Sequence, residues 1–288
     1  MIKTVLLVIV CYFLSPIAIA KIQNKVIYGD DNRLEYFQVP RADVREVADS
    51  TAAVIRNTNL LPKPTGTTAI RAESFKQSMG LCSSEPFASE PAGAFCSAFL
   101  VGDDLMATAG HCVDAARCPQ ISFVFTYRMS SQNEPPTEVD SSEVYRCQAV
   151  LDRAQTGAED YALVKLDRPV RGHRVLTLAH QPVRQGDRLI VVGHPSGIPT
   201  KVTDQGLVRS VTPAYFTASM DTYGGNSGSA VFNQSTLEVV GILVRGENDF
   251  TYDSQNRCTV SNRCAEAGCR GEDATNISYI SSALSRVQ

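Results

Sequence analysis

"GGNSGSA", residues 224–230, decides how this chain is read. Three glycines, two serines and an asparagine in seven residues suit a flexible linker. They also suit a tight turn that presents one serine, Ser227, to a substrate. The flanks separate the two readings. AYFTASM (214–220) precedes the stretch and AVF (230–232) follows it. Both read as apolar strands, where a linker has polar neighbours.

A serine hydroxyl is a poor nucleophile until a base takes its proton, and that base must be held in one tautomer. The chain has four histidines, His111, His173, His180 and His194, and all precede Ser227. The order Ser…Asp/Glu…His of α/β-hydrolases is therefore impossible around this serine, and the G-x-S-x-G elbow fails because Ser229 follows Gly228. The order His…Asp…Ser stays open. His111 lies in MATAGHCVD (106–114), directly after an apolar strand. A disulfide between its neighbour Cys112 and Cys96, on the preceding strand, would clamp the loop that carries it. Asp160 lies in GAEDYALVKLDRP (157–169), at the entrance to an apolar strand, where a partly buried carboxylate suits an orienting role. Asp167 competes with it but precedes Arg168-Pro169 and reads as a turn residue. His173, His180 and His194 show no such context and read as structural or surface residues.

TAGHC, DYALVKL and GGNSGSAVF, in this order, resemble the trypsin/chymotrypsin-like serine peptidases. With Asn226 before the nucleophile and VIYGDDNR at 26–33, the chain more narrowly resembles their bacterial, glutamyl-endopeptidase-like branch. The resemblance covers roughly residues 90 to 245. It implies an all-β fold of two antiparallel six-stranded β-barrels, with the active site between them. His111 and Asp160 would come from the first barrel and Ser227 from the second. Ser227 would attack the scissile carbonyl, His111 would carry the proton, and Asp160 would orient the imidazole. Backbone N–H groups of Gly225 and Ser227 would receive the oxyanion, each donor contributing on the order of 3 kcal/mol in the transition state.

Specificity is less legible. Asp221, six residues before the nucleophile, falls where trypsin-like enzymes hold a substrate Arg or Lys, which gives a lean towards basic residues. Thr222 follows it. The position where glutamyl endopeptidases place a histidine reads Leu243, so strict glutamyl specificity is not expected. Arg245 and Gly246, near that strand's end, are substrate-contact candidates. Asn226 lacks the charge to pair with a new N-terminus, so activation through that ion pair is not expected.

The rest of the chain fits an exported enzyme. Residues 1–20 combine Lys3, an apolar run from Thr4 to Leu14 and Ala18-Ile19-Ala20, the pattern of a secretory signal peptide. Without Cys11, eight cysteines remain, and none forms C-x-x-C, so disulfides are favoured over zinc. If Cys96 pairs with Cys112, parity demands a bridge from the group Cys82, Cys118, Cys147 to the group Cys258, Cys264, Cys269. Cys118 with Cys147, and Cys82 to the later group, is the expected arrangement among fifteen possible ones. The net charge of -3 offers no basic footprint for nucleic acid. No membrane association is expected once the leader is removed. The expected product is a secreted monomer, extracellular or periplasmic, acting on proteins or peptides without cofactor or metal.

Residues 21–66 read as a polar N-terminal extension or propeptide, and 67–288 as the peptidase domain, divided near 170–187. Short strands rich in Val, Ile, Phe and Tyr are expected over 95–101, 105–109, 121–127, 143–151 and 161–166. A second set is expected over 188–193, 207–211, 215–219, 229–233 and 237–244. A long polar insert follows at 247–276. Ile277, Ile280, Leu284 and Val287 recur at helical spacing, which predicts a closing C-terminal helix.

Overall fold

A computed structural model describes residues 26–265 and 268–287. The expected leader, 1–20, lies outside the described residues. Twelve strands form two barrels: β1 (Thr51–Arg56), β2 (Cys96–Gly102), β3 (Leu105–Thr108), β4 (Ile121–Val124), β5 (Val144–Gln155), β6 (Asp160–Leu166), β7 (Arg188–Gly193), β8 (Lys201–Val211), β9 (Tyr215–Ser219), β10 (Ala230–Asn233), β11 (Val239–Arg245) and β12 (Glu272–Asn276). The first barrel closes in the order β4-β5-β6-β3-β2-β1. The second runs β7-β10-β11-β12-β9-β8 and closes through β7–β8 pairing, with the short strand Arg33–Glu35 added outside on β8. Every barrel pairing is antiparallel. The two-barrel, all-β expectation therefore holds. Closure leaves no barrel edge to template another chain.

The strand β7 shows why these sequences read as nearly continuous apolar runs. Side chains alternate across a strand. Leu189 and Val191 enter the core of the second barrel, while Ile190 and Val192 join the cluster that also holds the first barrel's core. Both faces are covered, so both must be apolar.

Two boundaries differ from the sequence expectation. Residues 26–66 are not an arm outside the domain: Thr51–Arg56 is a stave of the first barrel, and removing the chain up to residue 66 would open it. The polar insert likewise ends before residue 272, because Glu272–Asn276 is the sixth stave of the second barrel. Both strands escaped the periodicity reading. Thr51–Arg56 sits in polar surroundings, and EDATN carries polar side chains that only tertiary partners satisfy. Asp273, for example, receives bonds from Thr217, Arg245 and Arg270 at 2.8–2.9 Å.

The remaining insert folds as a hairpin, Phe250–Asp253 with Cys258–Ser261. Disulfide Cys82–Cys258 ties it to the chain before the first barrel's second strand, and Cys264–Cys269 closes a loop within it. Cys96–Cys112 and Cys118–Cys147 link elements of the first barrel. The C-terminal helix, Ser278–Val287, buries Ile280 and Ala283, and its Tyr279 stacks on Tyr161 of β6 at 5.3 Å. Among the described residues no helix is long and apolar enough to cross a membrane.

Candidate active site

His111 sits on the loop that leaves β3. Three restraints fix this loop. The Cys96–Cys112 disulfide anchors it to β2. Arg153 of β5 donates through Nε to the carbonyls of Gly110 and Val113 at 2.6 and 2.7 Å. Arg117 donates to the His111 carbonyl at 2.7 Å.

Asp160 opens β6 and reaches His111 twice. Its Oδ2 lies 2.7 Å from His111 Nδ1, and its Oδ1 accepts the backbone N–H of His111 at 3.0 Å. A carboxylate only accepts, so the hydrogen bond places a proton on Nδ1 and turns Nε2 to the opposite side of the ring. The carboxylate is the more enclosed of the pair, with 11% side-chain exposure against 31% for the imidazole. Thr275 of β12 donates to the Asp160 carbonyl at 3.0 Å, so the second barrel steadies this residue. The competitor Asp167 instead accepts from Arg168 and the Arg146 backbone.

Ser227 lies in the turn between β9 and β10 and lines one cleft of about 370 Å³ with His111, Asp160, Gly224, Val244 and Arg245. Its hydroxyl contacts the Val244 carbonyl at 3.5 Å, the outer limit of a hydrogen bond. No hydrogen bond joins it to His111 here; such bonds commonly tighten only when substrate is bound.

The turn needs glycine at 225, where φ is +91°. A Cβ there would also sit 2.8 Å from the His194 carbonyl and the Gly197 nitrogen. The Gly224 carbonyl accepts the Ser196 N–H at 2.5 Å. Because a trans peptide sets C=O and N–H in opposite directions, the Gly225 N–H points away from the 194–197 turn. Neither it nor the Ser227 N–H has a hydrogen-bond acceptor among the described residues. His194 is fully buried, and burial pushes its pKa down to about 3, so a neutral ring donates through Nδ1 to the Ile198 carbonyl at 3.2 Å. His173 pairs with Glu143 and stacks on Phe125, away from this cleft.

The structure relocates the expected specificity residues. Both oxygens of Asp221 are engaged, accepting the backbone N–H groups of Tyr28 at 2.7 Å and Asn32 at 3.1 Å. Asp221 thus anchors the N-terminal segment, and burial pushes its pKa up to about 6. Leu243 is fully buried in the second barrel's core and does not line the cleft, because strand alternation turns Val244 there instead. Thr222 is also fully buried and donates to Glu272 Oε2 at 3.2 Å. Arg245 does line the cleft, with Nε held by Asp273 at 2.8 Å.

Sequence reading missed Glu272. Its carboxylate packs on Gly246, where an added Cβ would fall 1.8 Å from Oε2, and it accepts from Tyr28 Oη at 3.3 Å. Nothing local marks it, since Gly246 and Tyr28 lie 26 and 244 residues away in sequence.

A family model described as "Trypsin-like peptidase domain" matches residues 96–242, more than half of the chain. Comparison with curated protein sequences finds no match. Among solved structures, a Glu endopeptidase is similar with a TM-score of 0.53 and 16% identity, over 91% of this chain and 99% of that one. The Vibrio cholerae VesB protease gives 0.52 and 16%, over 91% and 68%. The inactive form of the Rv3671c protease gives 0.51 and 12%, over 91% and 98%. At such identities these likenesses speak for the fold alone. The family match, together with the two-barrel fold, establishes that the chain belongs to the trypsin-like peptidase domain family.

Proposed function

We propose that this protein is a secreted serine endopeptidase using Ser227, His111 and Asp160. The observation that carries this reading is the double contact of Asp160 to His111, on a cleft that Ser227 shares. Ser227 Oγ attacks the scissile carbonyl while its proton passes to His111 Nε2, and the carbonyl π pair moves onto the oxygen. The N–H groups of Gly225 and Ser227 receive that oxyanion. Collapse breaks the C–N bond, and His111 returns the proton to the leaving amine. Water, deprotonated by the same imidazole, then adds to the acyl carbon; the C–Oγ bond breaks and His111 returns the proton to Ser227 Oγ. Asp160 holds the imidazolium without taking its proton. Export follows from the leader at 1–20, and four disulfides suit an oxidising compartment.

A lean towards basic substrate residues is retained. Asp221 is engaged by Tyr28 and Asn32, and the lean now rests on Glu272, which is itself hydrogen-bonded by Tyr28 and Thr222 but packs on Gly246. This buried carboxylate adjoins Gly246, the residue after Arg245 of the cleft. Arg245 favours the competing glutamyl-specific reading, since it places a cation on the cleft wall.

A fluorophosphonate probe tests the nucleophile. An adduct on Ser227 that disappears in Ser227→Ala supports the proposal. A folded protein that takes no probe is instead a silent binding module. Cleavage of a peptide library then separates basic from glutamyl preference.

A further inference from the structure

Ser97 of β2 belongs to the first barrel, is fully buried, and sends its bonds across to the second. Its N–H donates to the Ser227 carbonyl at 2.8 Å. Its hydroxyl donates to the Gly225 carbonyl at 3.0 Å and accepts the His194 N–H at 2.9 Å. Its own carbonyl accepts from Thr108 Oγ1 at 2.7 Å, which secures it to β3.

These contacts control the peptide planes around the nucleophile. The Gly225 carbonyl, held by Ser97 Oγ, fixes the peptide that follows Gly225. The preceding peptide, which carries the Gly225 N–H, is fixed by the bond from Ser196 N–H to the Gly224 carbonyl. Ser196 rides on the 194–197 turn, and that turn is pinned at the His194 N–H by the same Ser97 hydroxyl. One side chain therefore restrains Gly225 from both sides. Gly225 needs this restraint, because glycine at positive φ has more backbone freedom than any other residue.

We propose that Ser97 is a positioning residue that aims the oxyanion-receiving N–H of Gly225, a role that rests on the serine-peptidase reading above. Ser97 touches neither substrate nor the reacting atoms. It acts through Gly225 and through the 194–197 turn. Losing the hydroxyl leaves a buried carbonyl and a buried N–H without partners, and the loop relaxes to satisfy them. The N–H then drifts from the oxyanion position, where geometry governs its worth.

The test compares Ser97→Thr with Ser97→Val, two side chains of the same shape that differ in the hydroxyl. The probe is a fluorophosphonate, whose attack on Ser227 also builds charge on an oxygen facing these donors. Ser97→Thr is expected to stay within about threefold of wild type in the maximal inactivation rate. Ser97→Val is expected to fall about tenfold or more. The half-saturating probe concentration should stay within about twofold, because ground-state binding does not use the oxyanion donors. If the added methyl prevents folding, Ser97→Ala against wild type gives the same contrast. Equal rates with and without the hydroxyl, or a change in half-saturation alone, overturn the proposal. A folded wild type that takes no probe sinks the peptidase reading and this proposal with it. A reactive wild type with hydroxyl-independent rates sinks this proposal only.

Discussion

The Asp160 carboxylate grips His111 at two points, ring Nδ1 at 2.7 Å and backbone N–H at 3.0 Å. One group thus sets both the tautomer of the imidazole and the course of its loop. Asp160→Asn keeps the shape but can offer an N–H to the ring, which favours the wrong tautomer. Peptide hydrolysis is expected to fall by about 10³–10⁴-fold with little change in KM. Steady-state kinetics on a cleavable peptide check this, and activity within tenfold of wild type would remove Asp160 from the proposed triad.

Asp221 and Glu272 make opposite predictions in one assay. Asp221→Ala strands the N–H groups of Tyr28 and Asn32 and should cost about 1–3 kcal/mol of stability in denaturant unfolding. Its cleavage profile should match wild type. Glu272→Gln should lower cleavage after Lys and Arg by at least about tenfold relative to other sites, because it removes the charge beside Gly246. A shifted profile in the Asp221 variant and an unchanged one in the Glu272 variant would reverse the assignment.

Lys201 Nζ is enclosed by Glu35 and Glu90, at 3.0 and 2.6 Å. Burial pushes the Glu90 pKa up to about 8; Lys201 opposes the rise and Glu35 adds to it. A raised carboxyl pKa means that the native state holds the proton more tightly than the unfolded chain. This contribution to stability is complete below the ordinary carboxylate pKa and is lost as pH rises through about 8. Between pH 5 and 9 the melting temperature of wild type should therefore fall more steeply than that of Glu90→Gln, by about 5 °C or more over the range. Parallel curves would place the proton elsewhere.

The Cys82–Cys258 bridge spans 176 residues and fastens the hairpin of the insert to the body. The double variant Cys82→Ser/Cys258→Ser should lose about 2–5 kcal/mol, measured by urea unfolding under oxidising conditions. Limited proteolysis should then cut first within 247–271. Unchanged stability and an intact insert would show that packing alone holds it.

The motifs around His111, Asp160 and Ser227 were legible because each side chain sits beside a local signal, an apolar strand followed by a turn or a turn between strands. Three disulfide expectations agree with the structure for a related reason. Cys96 and Cys112 flank one strand hairpin, and parity forced a bridge from the earlier cysteines to the insert. Thr51–Arg56 and Glu272–Asn276 were not legible, since neither segment announces which barrel will pair with it.

By itself, then, the sequence determined the all-β class, the order of the three candidate catalytic residues and the tight turn at 224–230. Local patterning and spacing suffice for these. Tertiary structure alone decided that Asp221 anchors the segment of Tyr28 and Asn32, that Glu272 packs on Gly246, and that Ser97 grips Gly225. Those pairs lie 26 to 193 residues apart along the chain. What a buried polar group does depends on the partner that closure of the barrels brings to it, and no periodicity in the sequence encodes that partner.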